Sequence, residues 1–167
     1  MSSSISLKRW QLLSPSERTA VLGLAVTSQQ VEFAGTVERS VESCEGDQNN
    51  QIAGLAILEN QAVVGFLVLK RGASAPSWAN PAAATVSAMR IDLSCQSKGI
   101  GSAALSALPP WVAENWPESP LLALSVDEEN QSARSAYAKA GFVDHGTREQ
   151  GRIGWVRFMS KPVGGCA

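Results

Sequence analysis

The chain has few of the residues that build crosslinked or metal-bound proteins. Its 167 residues include three cysteines, one histidine and one tyrosine. Cys44, Cys95 and Cys166 are odd in number and widely spaced, which fits neither a disulfide framework nor the paired spacing of a zinc site. We therefore expect reduced thiols, no bound metal and a cytoplasmic location.

An excess of positive charge is also missing. Fourteen Lys and Arg against 15 Asp and Glu give a net charge of −1, so no basic field attracts nucleic acid. No run approaches the roughly 18 apolar residues that span a bilayer, and residues 1–10 lack the apolar core of a signal peptide. The sequence thus predicts neither a nucleic-acid nor a membrane partner. With 44% hydrophobic residues, residues 1–167 should form one globular domain.

Strand-like and helix-like runs are mixed along the chain, which indicates an α/β domain. A capping box at Ser14–Glu17 predicts a helix over residues 15–26. Apolar residues at 33, 37 and 41 predict a second helix. Two more are predicted over 102–115, where Pro109-Pro110 should kink or divide the helix, and from a cap in 127–130 to Ala140. Strands are expected at residues 5–10, 52–58, 62–69, 84–93, 121–126, 143–148 and 153–160.

A glycine-rich turn is the most informative local pattern. The run Gln96-Ser97-Lys98-Gly99-Ile100-Gly101 follows the predicted strand ending at Leu93 and opens an alanine-rich helix. Glycines at such a junction leave backbone N–H groups unpaired at the positive end of a helix dipole, which suits phosphate oxygens. A turn of this kind is weak evidence alone, because glycines also serve ordinary loops.

A second cluster of residues makes the glycine-rich turn informative about function. Residues 130–142 carry Asn130, Ala133, Tyr137 and Gly141-Phe142 at fixed spacing. Together the two clusters resemble the GNAT acetyltransferase superfamily, with its Gln/Arg-x-x-Gly-x-Gly/Ala turn and its later Asn-x-x-Ala-x-x-x-Tyr-x-x-x-Gly-Phe helix. Residues 89–92 with 96–99 look most similar to the polyamine-acetyltransferase branch. The resemblance covers nearly the whole chain and is weakest before residue 50.

The resemblance implies a GNAT-like three-layer fold and acetyl-CoA as co-substrate. The sheet should be mostly antiparallel and centrally splayed, with six to seven strands and helices on both faces. The turn would hold the diphosphate, and the strand end together with Asn130 would hold the pantetheine arm. The residues implied in coenzyme binding are Ile91, Asp92, Leu93, Gln96, Ser97, Lys98, Gly99, Ile100, Gly101, Ser102, Asn130, Ala133 and Tyr137.

Tyr137 is the residue expected to carry chemistry. In the superfamily a tyrosine at this position protonates the departing thiolate. A phenol, with a pKa of about 10 against about 8.5 for a thiol, can do so at modest cost. The alternative is a core aromatic whose hydroxyl is satisfied by a neighbour. A backbone N–H near Ile91 or Asp92 should stabilise the acetyl oxygen as it gains charge.

The acceptor implied by the resemblance is a primary amine, attacked directly in a ternary complex. Because an amine has a pKa of about 10.4, a carboxylate or water chain must help to neutralise it. Candidates for this role are Glu32, Asp92 and Glu38. Alternatively, Glu38 lies on a solvated helix face, and Asp92 binds Arg90 or caps the turn.

Three alternatives stay open on the sequence alone. The domain could bind acyl-CoA as a non-catalytic sensor, or it could be a nucleotide-phosphate module, although the turn lacks the Gly-Lys-Ser/Thr ending of a P-loop. An acyl-enzyme on Cys95 is conceivable beside the positive dipole. His145 has no Ser or Cys partner that the sequence places beside it. Trp155 and Phe158 on the last strand suggest pairing across a homodimer.

Overall fold

The computed structural model describes residues 4–28, 31–32 and 35–164. These residues form a seven-stranded sheet with helices on both of its faces, as the sequence predicts. The helices are α1 (Pro15–Leu22), α2 (Val37–Glu45), α3 (Ile100–Asn115) and α4 (Gln131–Lys139). The strands are β1 (Ile5–Arg9), β2 (Ile52–Glu59), β3 (Ala62–Lys70), β4 (Ala83–Ile91), β5 (Leu121–Asp127), β6 (Val143–Gln150) and β7 (Trp155–Pro162).

Local sequence explains most helix boundaries. The predicted capping box is present, with Ser14 accepting from the Glu17 amide and Glu17 accepting from the Ser14 amide. Helix α1 ends at Leu22 and not at Val26, because Gly23 follows as its C-cap. Thr36 caps α2, and the predicted stripe residue Phe33 lies outside the described residues.

The prediction that Pro109-Pro110 divides the third helix is wrong. Both prolines lie inside the single helix α3. Proline removes one backbone donor and strains the preceding turn, at a cost of about 3 kcal/mol. Leu105, Leu108 and Val112 are completely buried against the sheet on either side of the pair. We attribute the continuity of the helix to this tertiary packing.

The sheet has the strand order β1-β2-β3-β4-β5-β7-β6. All neighbours are antiparallel except β4 and β5, which run parallel and pair only over Ala83–Val86 and Leu121–Leu124. Beyond Val86 and Leu124 the two strands separate, and we call this gap the split. A bulge at Ala88 and Met89, where two residues face one on β3, redirects β4 at this point.

The two faces of the sheet carry separate cores. Leu67, Val86 and Leu124 belong to the core beneath α3 and α4. Phe66 and Val68 belong to a second core beneath α1 and α2. This alternation assigns every strand residue near the split to one face or the other. None of the described helices is both long and apolar enough to cross a membrane.

Candidate active site

A cavity of about 480 Å³ opens on the α3 and α4 side of the split. Its walls come from the end of β4, the turn after it, the start of α3 and the inner face of α4. Ten of the predicted coenzyme-binding residues line it: Ile91, Gln96, Ser97, Gly99, Ile100, Gly101, Ser102, Asn130, Ala133 and Tyr137. Asp92, Leu93 and Lys98 do not line it.

The first turn of α3 presents free backbone donors to this cavity. Gly99 is the N-cap with φ +78°, a left-handed conformation that favours glycine, and no side chain caps the helix. The first intrahelical bond runs from the Ala103 amide to the Gly99 carbonyl at 3.0 Å. The N–H groups of Ile100, Gly101 and Ser102 therefore precede that bond and have no partner among the described residues. Several converging N–H groups at a positive dipole end are a site for an anion.

Ile91 offers a further donor on the split edge of β4. The flanking residues Arg90 and Asp92 pair with β3, and the Asp92 amide donates to the Val64 carbonyl at 2.8 Å. In an antiparallel ladder the intervening residue directs its N–H to the other edge. Among the described residues, no strand pairs with β4 at that edge. The Ile91 carbonyl accepts from the Gln96 side chain at 3.0 Å, so Gln96 ties the turn to the strand.

Asp92 does not have the unoccupied carboxylate that a general base requires. Its carboxylate accepts from the Ala25 amide at 2.7 Å and from the amide and hydroxyl of Ser94. These hydrogen bonds, those from Ser94 first, lower the pKa of the Asp92 carboxyl. The Leu93 amide donates to the Ala25 carbonyl at 2.7 Å, so residues 92–94 anchor the segment after α1. Lys98 is exposed.

Asn130 combines the two roles weighed for it. It is the N-cap of α4, and its side-chain oxygen accepts from the Ala133 amide at 3.3 Å. It also lines the cavity. The cap interaction uses the oxygen and leaves the two N–H groups of the amide available to a ligand. Helix capping therefore positions Asn130 without consuming its donors.

Tyr137 lies half-buried in the cavity wall, with its ring centroid 5.9 Å from that of Phe142. Burial raises the pKa of Tyr137 to about 12. The phenol therefore keeps its proton at neutral pH. Its position on the inner face of α4 aims it at the space between the turn and the end of β4.

The opposite face of the split carries a carboxylate that the sequence analysis missed. Asp127 ends β5, and it alternates with the buried Val126 so that its side chain points away from α3 and α4. Burial and the nearby Glu32 and Glu129 raise the pKa of Asp127, while Arg152 opposes the shift. Glu32 itself is exposed, and its backbone carbonyl accepts from Arg152 at 2.8 Å. A carboxylate directly after a buried strand was the signal available in the sequence.

Arg90 is a second residue that the sequence analysis left out of the site. Its side chain is 2% exposed, lines the cavity and donates to the Ser40 hydroxyl on α2 at 3.2 Å. Burial lowers the pKa of Arg90 to about 10, and Glu38 opposes that change. Glu38 is exposed on the surface of α2, yet it lies close enough to Arg90 for its charge to act on the pKa of the guanidinium.

Two reactive side chains have ordinary surroundings. Cys95 is a free thiol in the cavity wall, 3.5 Å from the Ser94 hydroxyl. His145 does have a serine partner, because its Nε2 lies 2.5 Å from the Ser160 hydroxyl across β6 and β7. Both residues of this pair lie away from the cavity. Within the described ranges no three His, Cys, Asp or Glu residues cluster as metal ligands.

Comparison with known proteins places this geometry among acetyltransferases. A family model described as the acetyltransferase (GNAT) family matches residues 17–142. The uncharacterized N-acetyltransferase YbbJ of Bacillus subtilis (strain 168) is 26% identical over 156 residues, which are 92% of this chain and 94% of that protein. The match confirms the family predicted from the two sequence clusters.

Solved structures of the same fold include enzymes with bound coenzyme A. The aminoglycoside acetyltransferase AAC(6')-Ib in complex with coenzyme A has a TM-score of 0.74 at 18% identity, with 95% of each chain covered. Spermidine N-acetyltransferase from Vibrio cholerae, in complex with CoA and spermine, has a TM-score of 0.71 at 15% identity, again with 95% of each chain covered. At these identities the likeness shows the fold.

Proposed function

The chain belongs to the acetyltransferase (GNAT) family, and from that premise we propose that it transfers the acetyl group of acetyl-CoA to a primary amine. Transfer occurs directly between the two substrates in a ternary complex. The observation that carries the proposal is the placement of unpaired backbone donors, the Tyr137 phenol and a carboxylate around one split in the sheet. The solved relatives support an amine acceptor, since their complexes contain kanamycin and spermine.

The coenzyme lies in the 480 Å³ cavity. Its diphosphate accepts from the amides of Ile100, Gly101 and Ser102, where the helix dipole favours negative charge. Its pantetheine arm follows the edge of β4 beyond Val86, where the pairing of β4 with β5 has ended. Asn130 donates to the arm from the other wall. The thioester then lies at the split, between Tyr137 and the end of β4.

The leaving thiolate receives its proton from Tyr137. When the amine nitrogen attacks the carbonyl carbon, negative charge develops on the oxygen, and the Ile91 N–H stabilises it by donating a hydrogen bond. As the C–S bond breaks, the phenol protonates the sulfur. A pKa of about 12 keeps this acid protonated throughout the working range of pH.

The incoming amine must lose a proton before or during attack. Holding an amine of pKa about 10.4 neutral at pH 7 costs roughly 4–5 kcal/mol. Asp127 and Glu32 lie on the acceptor side of the split, and we assign them the binding of the ammonium and, directly or through water, the receipt of its proton. Asp92 serves this reaction by anchoring the segment after α1, since its carboxylate is occupied by Ala25 and Ser94.

Thiol release tests the proposal against the sensor alternative. Purified protein is mixed with acetyl-CoA and a panel of primary amines, free CoA is measured with a thiol reagent, and products are analysed by mass spectrometry. We expect amine-dependent release of CoA and a gain of one acetyl group on an acceptor. Saturable binding of acetyl-CoA without release above background would establish a sensor instead. A stable acetylated protein at Cys95 would contradict direct transfer.

A further inference from the structure

A second cavity of about 290 Å³ lies on the α1 and α2 side of the sheet, beside the split. Lys70, Thr85, Ser87 and Ser125 line it from the strands, and Trp78 lines it from the loop between β3 and β4. Ser87 follows the last residue of β4 that pairs with β5, and Ser125 follows the last residue of β5 that pairs with β4. The cavity therefore begins where the split begins.

The strand register places these residues on one face. Lys70 is opposite Thr85, and Ser87 is opposite Val68, which packs beneath α1 and α2. Asp127 follows Ser125 by two residues, so its side chain also points to this face. Along β5, Asp127 lies four residues beyond Ala123, the partner of Thr85, which corresponds to about 13 Å.

Charge is separated along this face. Lys70 brings a cation to the second cavity, forms no salt bridge with any carboxylate in the described ranges, and is the only charged residue among those that line it. Asp127 and the nearby Glu32, partly offset by Arg152, bring negative charge to the reacting end. A ligand that spans both ends is complementary in charge when its ammonium group lies at Asp127 and its anionic group lies at Lys70.

The middle of the cavity suits a polar, neutral linker. Thr85 Oγ1 donates to the Lys70 carbonyl at 3.0 Å, and Ser87 Oγ donates to the Val68 carbonyl at 3.4 Å. Because each hydroxyl proton is used in this way, both oxygens can act only as acceptors toward a ligand. Trp78 lies against Phe158, with ring centroids 5.1 Å apart, and forms an aromatic wall. Amide N–H groups and small apolar side chains complement such a surface.

We propose that the acceptor is a small amine that carries a carboxylate or phosphate roughly 10–13 Å from its amino group, as a tripeptide with a free C-terminus does, and that Lys70 binds this anion. This inference rests on the proposed function and names its substrate class. It differs from the polyamine class suggested by sequence resemblance, because a second ammonium at Lys70 would be repelled.

A matched pair of acceptors tests the assignment. Trialanine and trialanine amide differ in the C-terminal anion alone, and an aminoalkyl phosphate of similar length distinguishes phosphate from carboxylate. In the wild type we expect kcat/KM for trialanine or for the phosphate to exceed that for the amide at least tenfold, with spermidine no better than the amide. Lys70→Gln should bring the ratio of kcat/KM for the anionic acceptors to that for the amide down to about one.

Two variants separate charge from shape. Arg39→Gln removes an exposed cation from α2 and should leave the ratio of free acid to amide unchanged. Trp78→Ala should lower kcat/KM for both peptides alike. Equal rates for free acid and amide in the wild type, or an unchanged ratio in Lys70→Gln, would overturn the inference while leaving amine acetylation intact. Binding of acetyl-CoA without acetylation of any amine would overturn the proposed function, and this inference with it.

Discussion

The two sides of the split are built from different chemistry. On the α3 and α4 side, the donors assigned to the diphosphate are main-chain amides of the first turn of one helix, and Asn130 and Tyr137 add side-chain donors from a second helix. On the α1 and α2 side, Lys70, Ser87, Ser125 and Asp127 come from three strands. A coenzyme that does not vary can be held by backbone geometry, whereas an acceptor that differs between enzymes must be recognised by side chains.

The contrast predicts that changes on the coenzyme side abolish function, whereas changes on the acceptor side retune it. Tyr137→Phe removes the proposed proton donor and keeps the ring, so kcat should fall about 100-fold or more. The Kd for acetyl-CoA, measured by calorimetry, should stay within about twofold. Equal losses in kcat and affinity would show that the tyrosine binds the coenzyme and does not act as an acid.

Gly99→Leu should act in the opposite sense. A side chain at φ +78° is strained and enters the cavity wall where the diphosphate approaches, so the affinity for acetyl-CoA should fall about tenfold or more. Gly146→Leu is the matched control, because Gly146 has the same φ of +78° and equally open space around its absent Cβ, but lies in β6. Similar losses of affinity in both variants would indicate a general effect on folding.

On the acceptor side, Asp127→Asn should lower kcat/KM for the amine about 10- to 30-fold at pH 7 and leave acetyl-CoA affinity unchanged. The deficit should shrink as pH rises toward the amine pKa of about 10.4, because the amine then loses its proton without help. Initial rates from pH 6 to about 10 measure this. Glu149→Gln, at an exposed carboxylate on β6, should match the wild type. A deficit independent of pH would remove Asp127 from proton transfer.

The smallest expected effect is spectroscopic. Tyr137 is the only tyrosine, so the near-ultraviolet absorbance of tyrosinate reports its ionisation alone. Burial raises its pKa to about 12, and the transition should therefore appear about two pH units above that of a free phenol. The unfolded chain in denaturant should titrate near 10. A native transition near 10 would mean that the phenol is exposed to water.

The same contrast explains what the sequence predicted. Gly99, Asn130 and Tyr137 occur in two short continuous patterns, so the family resemblance that these patterns carry already implied a shared coenzyme site. Lys70 and Asp127 come to the same face of the sheet only through the pairing of β3 with β4 and of β4 with β5, which no local pattern contains. The prediction that two prolines divide α3 is wrong for a related reason, because the packing of Leu105 and Val112 outweighs their local effect.

Strand order also lay beyond local pattern. The edge strands of the described sheet are β1 and β6, so strand pairing across a dimer would use one of these. The last strand, β7, lies between β5 and β6, which contradicts the suggestion that it pairs across a homodimer. Its hairpin connection to β6 was predictable, but its insertion beside β5 depends on long-range packing. The homodimer and the cytoplasmic location stay predictions.

Calorimetric titration of acetyl-CoA tests the central claim, that the amides opening α3 hold the coenzyme diphosphate, most directly. The account predicts saturable heat at one equivalent of acetyl-CoA per chain, and much weaker binding of acetyl-pantetheine, which lacks the diphosphate. Absence of heat with acetyl-CoA, or equal affinity for the two thioesters, would contradict it.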